Sequence, residues 1–290
     1  CIRDRFFICV MVSGNQKRRD RTERMKKEDA VLVVSFGTSY NDSRKKTIEE
    51  IEKTIAGHFH GYEFHRAFTS RVIINILKKR DSISIDGVSE AMERLLNQGI
   101  KRVLVQPTHV MSGEEFDAMM EEMSPYEASF EAVAVGAPLL TSDEDYERLV
   151  RILAEDTKEF DQEGTEIILM GHGTEHAANE VYVRLAAEFK KQGYGRYHVG
   201  TVEATPSLED MKRETDQTGA RRVVLQPLMI VAGDHANNDM AGDEEDSWKS
   251  VFQADGYDVV CRLKGLGELE GIRSMFVDHA KMAVRSLTFK

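Results

Sequence analysis

Two imidazoles and a carboxylate, His172, Glu203 and His235, stand 31 and 32 residues apart in the second half of a 290-residue sequence. Together they form a borderline-soft donor set suited to Co, Ni, Zn or Fe, and three protein ligands leave coordination positions open on the ion. A site of that kind exchanges its metal or reacts through it. Each residue also has a plainer reading when taken alone. His172, between Gly171 and Gly173, can hydrogen-bond the loop backbone; Glu203 can face a helix N-terminus as a dipole partner; His235, after Gly233-Asp234, can act as a cap.

The elements that must carry these residues are legible from periodicity. From Ala30 onward, short apolar runs alternate with segments of helical period, the pattern of a parallel sheet covered by helices. Residues 31–34 read as a buried strand and Ser35-Phe36-Gly37-Thr38 as a tight turn, with Ile48, Ile51 and Ile55 on one face of the next helix. Further strands are expected at 62–67, 102–106, 166–170, 197–201, 221–226 and 257–261. Helical faces fall at Val88, Met92, Leu95 and Leu96 and at Tyr146, Leu149, Val150 and Leu153, and another helix starts near His176. The order describes an α/β fold of two similar Rossmann-like halves, each a central parallel sheet flanked by helices, at 25–140 and 141–290.

The halves repeat each other. Aligning VLVVSFGTSYNDS with IILMGHGTEHAAN sets Phe36 opposite His172 and Gly37-Thr38 opposite Gly173-Thr174. Aligning KRVLVQPTHVMSGEEFDAMM with RRVVLQPLMIVAGDHANNDM sets Gln106-Pro107 opposite Gln226-Pro227 and Glu115 opposite His235. A weaker match of RAFTS with VEATPS sets Glu203 opposite Ala67. In open parallel sheets, ligands bind beyond the carboxyl ends of the strands. The three donors fall at such ends in the second half, and the sister copy lacks both imidazoles.

Composition excludes several classes of function. A net charge of -11 argues against nucleic acid and gives no support for an anionic membrane surface. No stretch approaches the ~20 apolar residues of a membrane helix. Cys1, Cys9 and Cys261 form no metal knuckle and no disulfide framework, so a reducing cytoplasm is the expected compartment. Residues 1–24 carry seven basic and three acidic side chains without strand or helical period. They read as a non-native or upstream extension before Met25; the rival reading, a signal peptide, would make the protein periplasmic. The sequence is compatible with a homo-oligomer.

The remaining histidines read as structural. His58, His60 and His65 cluster near a turn and a strand, and His176 and His279 fall in expected helices. His109 stands at a strand end, where cleft lining and backbone support are both open. The acidic run Asp243 to Asp246 before Trp248 reads as a favourable helix N-terminus.

Four blocks carry a resemblance: VVSFGTSYNDS at 33–43, RAFTS at 66–70, MGHGTEH at 170–176 and PLMIVAGDHANNDMAGDEEDSWK at 227–249. From about Met25 to the C-terminus the chain resembles the anaerobic single-chain cobalt chelatases of cobalamin synthesis, class II chelatases related in fold to ferrochelatase. That resemblance implies Co(II) as substrate metal, sirohydrochlorin as the tetrapyrrole acceptor, and no organic cofactor. It implies metal ligands at His172, Glu203 and His235, with His172 also catalytic, and Glu115 facing them as a carboxylate that handles metal or pyrrole protons. An imidazole, with an ordinary pKa of about 6.5, can serve as ligand and then as base. The ring carboxylates are expected to meet the backbone N–H groups of the Gly37-Thr38 and Gly173-Thr174 turns, with Ser35 and Thr38 as auxiliary donors. The acidic net charge stands in tension with such a substrate. Iron or nickel insertion into the same ring, and a non-catalytic tetrapyrrole or metal carrier, are the alternatives.

Overall fold

The computed structural model describes residues 28–287; the N-terminal segment 1–24, with both readings of it, lies outside them. The apolar runs become β1 (Asp29–Ser35), β2 (Glu63–Phe68), β3 (Arg102–Pro107) and β4 (Ala132–Val135) in the first half. Between and around them lie α1 (Asn41–Lys46), α2 (Ile48–His58), α3 (Arg71–Asp81), α4 (Val88–Gln98) and α5 (Glu114–Glu127). The second half follows with α6 (Asp143–Thr157), β5 (Thr165–Gly171), α7 (Glu180–Lys191), β6 (Tyr197–Thr201), α8 (Leu208–Asp216), β7 (Arg222–Pro227), α9 (Trp248–Ala254), β8 (Asp258–Cys261) and α10 (Glu270–Leu287). Periodicity does not single out β4 or α3, because β4 has only four residues and the apolar residues of α3 crowd into Val72 to Leu77 before Lys78-Lys79-Arg80-Asp81.

Each half holds one four-stranded, all-parallel sheet, ordered β2-β1-β3-β4 and β6-β5-β7-β8. The chain leaves β1 for β2 on one side and crosses to β3 on the other, and the second half repeats the move around β5. Helices on opposite faces therefore diverge between β1 and β3 and between β5 and β7, opening a crevice at those carboxyl ends. Val31 to Val34 and Ile167 to Met170 are fully buried, as central strands covered on both faces must be.

Register confirms the repeat and corrects one part of it. Val33 pairs with Gln106, and Leu169 with Gln226, so the Gln-Pro strand ends are equivalent. At the second strand, however, Ser70 N–H donates to Phe36 O and Glu203 N–H donates to His172 O. Glu203 is thus the counterpart of Ser70, not of Ala67. The helix caps Ser70 and Ser207 stand two and six residues past their strands, so the two loops differ in length by four residues. The extra loop length in the second half is what carries Glu203.

The two sheets share one core. Val31, Val33, Ile51 and Leu104 from the first half and Ile167, Leu169, Tyr182 and Val224 from the second belong to a single buried cluster, joined by Ile272, Met275 and Phe276 of α10. α10 packs on α2, β3 and β4, so the last helix of the chain covers the first sheet. The start near His176 is a short 3-10 turn, Ala177–Asn179, capped by the His176 side chain, and α7 begins only at Glu180.

Candidate metal centre

Equivalent turns follow β1 and β5, and both demand glycine. Gly37 and Gly173 adopt φ of 100° and 87°. A Cβ on Gly173 would lie 2.8 Å from Ala204 N, and one on Gly37 would lie 2.5 Å from the Phe68 ring. In the second half this turn lifts His172 off the tip of β5. β6 delivers Glu203 beside it, and the segment after β7 delivers His235 from across the switch point.

The structure brings these three together. One donor atom from each of His172, Glu203 and His235 lies within 4.8 Å of the others, a spacing that a single divalent ion can bridge with small adjustments. The two imidazole rings meet edge to face, with centroids 4.5 Å apart. His172 Nδ1 is 2.8 Å from Gly173 O, and His235 Nδ1 is 2.8 Å from an Asp239 carboxylate oxygen. With the proton on Nδ1, where each ring faces an oxygen acceptor, each imidazole offers Nε2 as its lone-pair donor. The carboxylate-imidazole pairing at His235 is the arrangement that orients metal-bound histidines and raises their basicity. His172 and Glu203 leave about half of their side-chain surface open, so an ion can enter and leave.

Sequence reasoning passed over Asp239. Its signal was the His-x-x-x-Asp spacing in HANND, which one helical turn converts into contact; the turn is the π-helical stretch Ala236–Met240 that follows His235.

Glu115 lies outside the donor cluster. It is exposed in the first turn of α5 in the other half, with Oε2 accepting from Thr69 Oγ1 at 3.0 Å. Its segment faces the second half: Asp117 lies 3.5 Å from His176, and a Cβ on Gly113 would lie 3.8 Å from Ala178. At the other end, Tyr40 Oη donates to Asp234 at 3.1 Å, and Gly233 approaches Thr38. These two bridges hold the strand tips of the halves face to face.

The expected carboxylate donors are paired within the protein or buried. Gly173 N–H already donates to Tyr182 Oη at 3.3 Å and Thr174 N–H to Asn179 Oδ1 at 3.1 Å, so the turn closes on itself. Ser35 is buried, its Oγ accepting from Thr108 at 2.8 Å, and Thr38 is buried with Oγ1 accepting from Tyr40 N–H. Gly37 is buried as well.

The other histidines do not join the donors. His279 is buried against Asp145 and Ala137 O. His198 is clamped between Glu166 and Glu214. His109 is buried edge-on to Phe116 with no partner on either ring nitrogen, and burial pushes its pKa down to about 4, so it is neutral.

A two-lobed parallel α/β molecule with an open three-donor site at the switch point of one lobe belongs to the class of divalent-metal chelatases. The sequence matches the cobalt chelatase (CbiK) family over residues 29–285, and the chain belongs to that family. It is 39% identical over 255 residues to the sirohydrochlorin cobaltochelatase of Salmonella typhimurium, covering 88% of this chain and 96% of that one. It is 31% identical over 263 residues to the sirohydrochlorin cobaltochelatase CbiKC of Nitratidesulfovibrio vulgaris, covering 89% and 91%. Among solved structures, SirB from Bacillus subtilis with Fe3+ superposes with a TM-score of 0.64 at 12% identity, over 90% of this chain and 98% of that one. CbiX, described as the terminal enzyme of siroheme biosynthesis in denitrifying bacteria, gives 0.55 at 16% identity, over 88% and 99%. Both establish the shared two-half chelatase fold. No helix among the described residues is long and apolar enough to cross a membrane.

Proposed function

We propose that this chain inserts Co(II) into sirohydrochlorin in the cleft between its halves, as a step of anaerobic cobalamin synthesis. The observation that carries the proposal is the convergence of one donor atom each from His172, Glu203 and His235 within 4.8 Å of one another. The donor set alone suits cobalt, iron and nickel. Membership of a cobalt chelatase family supports cobalt.

Insertion exchanges one divalent cation for two pyrrole protons. His172 and His235 would hold Co(II) through Nε2, and Glu203 would offset its charge. Transfer to the ring nitrogens frees the imidazoles, and His172 can then take one of the released protons. Glu115, on the opposing half and tethered by Thr69, would take the other and pass it to solvent through its exposed carboxylate.

Purified protein is mixed with sirohydrochlorin and Co(II) while the ring absorption is followed. Multiple turnovers are expected. Stoichiometric binding of both ligands without conversion would instead identify a carrier. Competition among Co(II), Ni(II) and Fe(II) at equal free concentration reads metal preference.

A further inference from the structure

Phe36 occupies in the first half the place that His172 occupies in the second: each follows the central strand, precedes a positive-φ glycine, and accepts a hydrogen bond from the residue at the next strand end. It is a large aromatic residue left 46% exposed, in a turn whose neighbours Ser35, Gly37 and Thr38 are all buried. The segment beginning two residues later, Thr38 to Tyr40, reaches the residues just before His235: Tyr40 Oη donates to Asp234, and a Cβ on Gly233 would lie 3.6 Å from Thr38 Oγ1. Tyr40 to Asp234 and Asp117 to His176 bring the strand tips of the two halves side by side, with Phe36 and Glu115 at the tips of the first half.

We infer that Phe36 is a substrate-positioning residue, whose ring lies against the face of the macrocycle turned away from the metal donors. The inference rests on the proposed function and adds how the substrate is held. A flat conjugated ring needs an apolar, polarisable surface on its far side. Metal donors on one wall and a phenyl ring on the other would set its depth in the cleft while leaving the near face open to the ion. The repeated fold thus uses one strand-tip position twice, for metal in one half and for ring stacking in the other.

The test uses the full chain. Sirohydrochlorin affinity is measured by absorbance titration without metal, and Co(II) affinity by titration without tetrapyrrole. Phe36→Ala is expected to weaken sirohydrochlorin binding about tenfold, with Co(II) affinity unchanged and Phe36→Tyr restoring binding. Unchanged sirohydrochlorin affinity in Phe36→Ala overturns the inference, and so does an equal loss of Co(II) affinity, which would mark a structural effect. Because both titrations are independent of turnover, a wild-type protein that binds the ring through Phe36 without inserting cobalt defeats the proposed function and leaves the stacking role intact.

Discussion

At the scale of single residues, the site depends on imidazoles whose tautomers are set by their neighbours. Asp239 holds the His235 Nδ1 proton, so Asp239→Ala should free the ring to rotate and weaken Co(II) binding about tenfold to a hundredfold. Direct Co(II) titration of the variant checks this, and an affinity within twofold of wild type would remove Asp239 from the site. His172→Ala should abolish insertion while the thermal midpoint stays near that of wild type, because the side chain is half exposed and packs in no core. Glu115→Gln should lower kcat more than it lowers Co(II) affinity. The reverse ranking would make Glu115 a metal ligand in place of a proton acceptor. His172 and His235 were legible at repeated strand ends, opposite Phe36 and Glu115, whereas Glu203 was set against Ala67 and the register moves it to Ser70. Asp239 joins His235 only through the π-helical turn, and the burial of His109 against Phe116 depends on packing between α5 and a strand tip, which leaves no local pattern.

At the scale of elements, the strand-end turns are the rigid parts. Gly173→Ala should cost about 1–3 kcal/mol, from both the positive φ and the approach of Ala204 N, and should misplace His172. Denaturant midpoints and Co(II) affinity measured together would show both effects. Away from the site, His198 ties β6 to β5 and α8. Burial pushes its pKa down, but the hydrogen bonds and charges of Glu166 and Glu214 outweigh this and hold it above its ordinary value. A raised histidine pKa means that the folded state keeps the proton longer. The stabilisation is therefore complete below about pH 6.5 and is lost as pH rises through the folded pKa. Thermal midpoints from pH 6 to pH 9 should show a downward component that His198→Gln lacks. An identical slope in both proteins would remove His198 as its source.

At the scale of the whole molecule, the halves are tied by chain that leaves its own repeat. α10 covers the first sheet, its His279 Nδ1 lying 3.2 Å from Ala137 O, and within the second half Nε2 meets Asp145 of α6 at 2.9 Å in a buried pair. Burial pushes the Asp145 carboxyl up, but His279 and the Ser142 donors outweigh it and hold the carboxyl below its ordinary range. A depressed carboxyl stabilises the fold above the ordinary carboxylate range and loses that contribution as pH falls toward the folded pKa. His279→Ala leaves a buried carboxylate short of a partner and should cost about 3 kcal/mol. It should also move the acid unfolding midpoint upward, as circular dichroism against pH would report.

What the sequence determined by itself was local. Alternating apolar runs specify the strands, two glycines that must take positive φ specify the repeated turns, and His172, Glu203 and His235 beyond three strand ends offer a donor set suited to a divalent metal. These follow from steric limits and periodicity acting over a few residues. Tertiary structure alone decided the rest: that Glu203 answers to Ser70 through a longer loop, that the donors of the Gly173-Thr174 turn are spent internally, that Phe36 stands exposed while its neighbours are buried, and that α10 returns to the first sheet. Each depends on contacts between segments distant in the chain, whose geometry is set by core packing between the two sheets and leaves no trace in spacing.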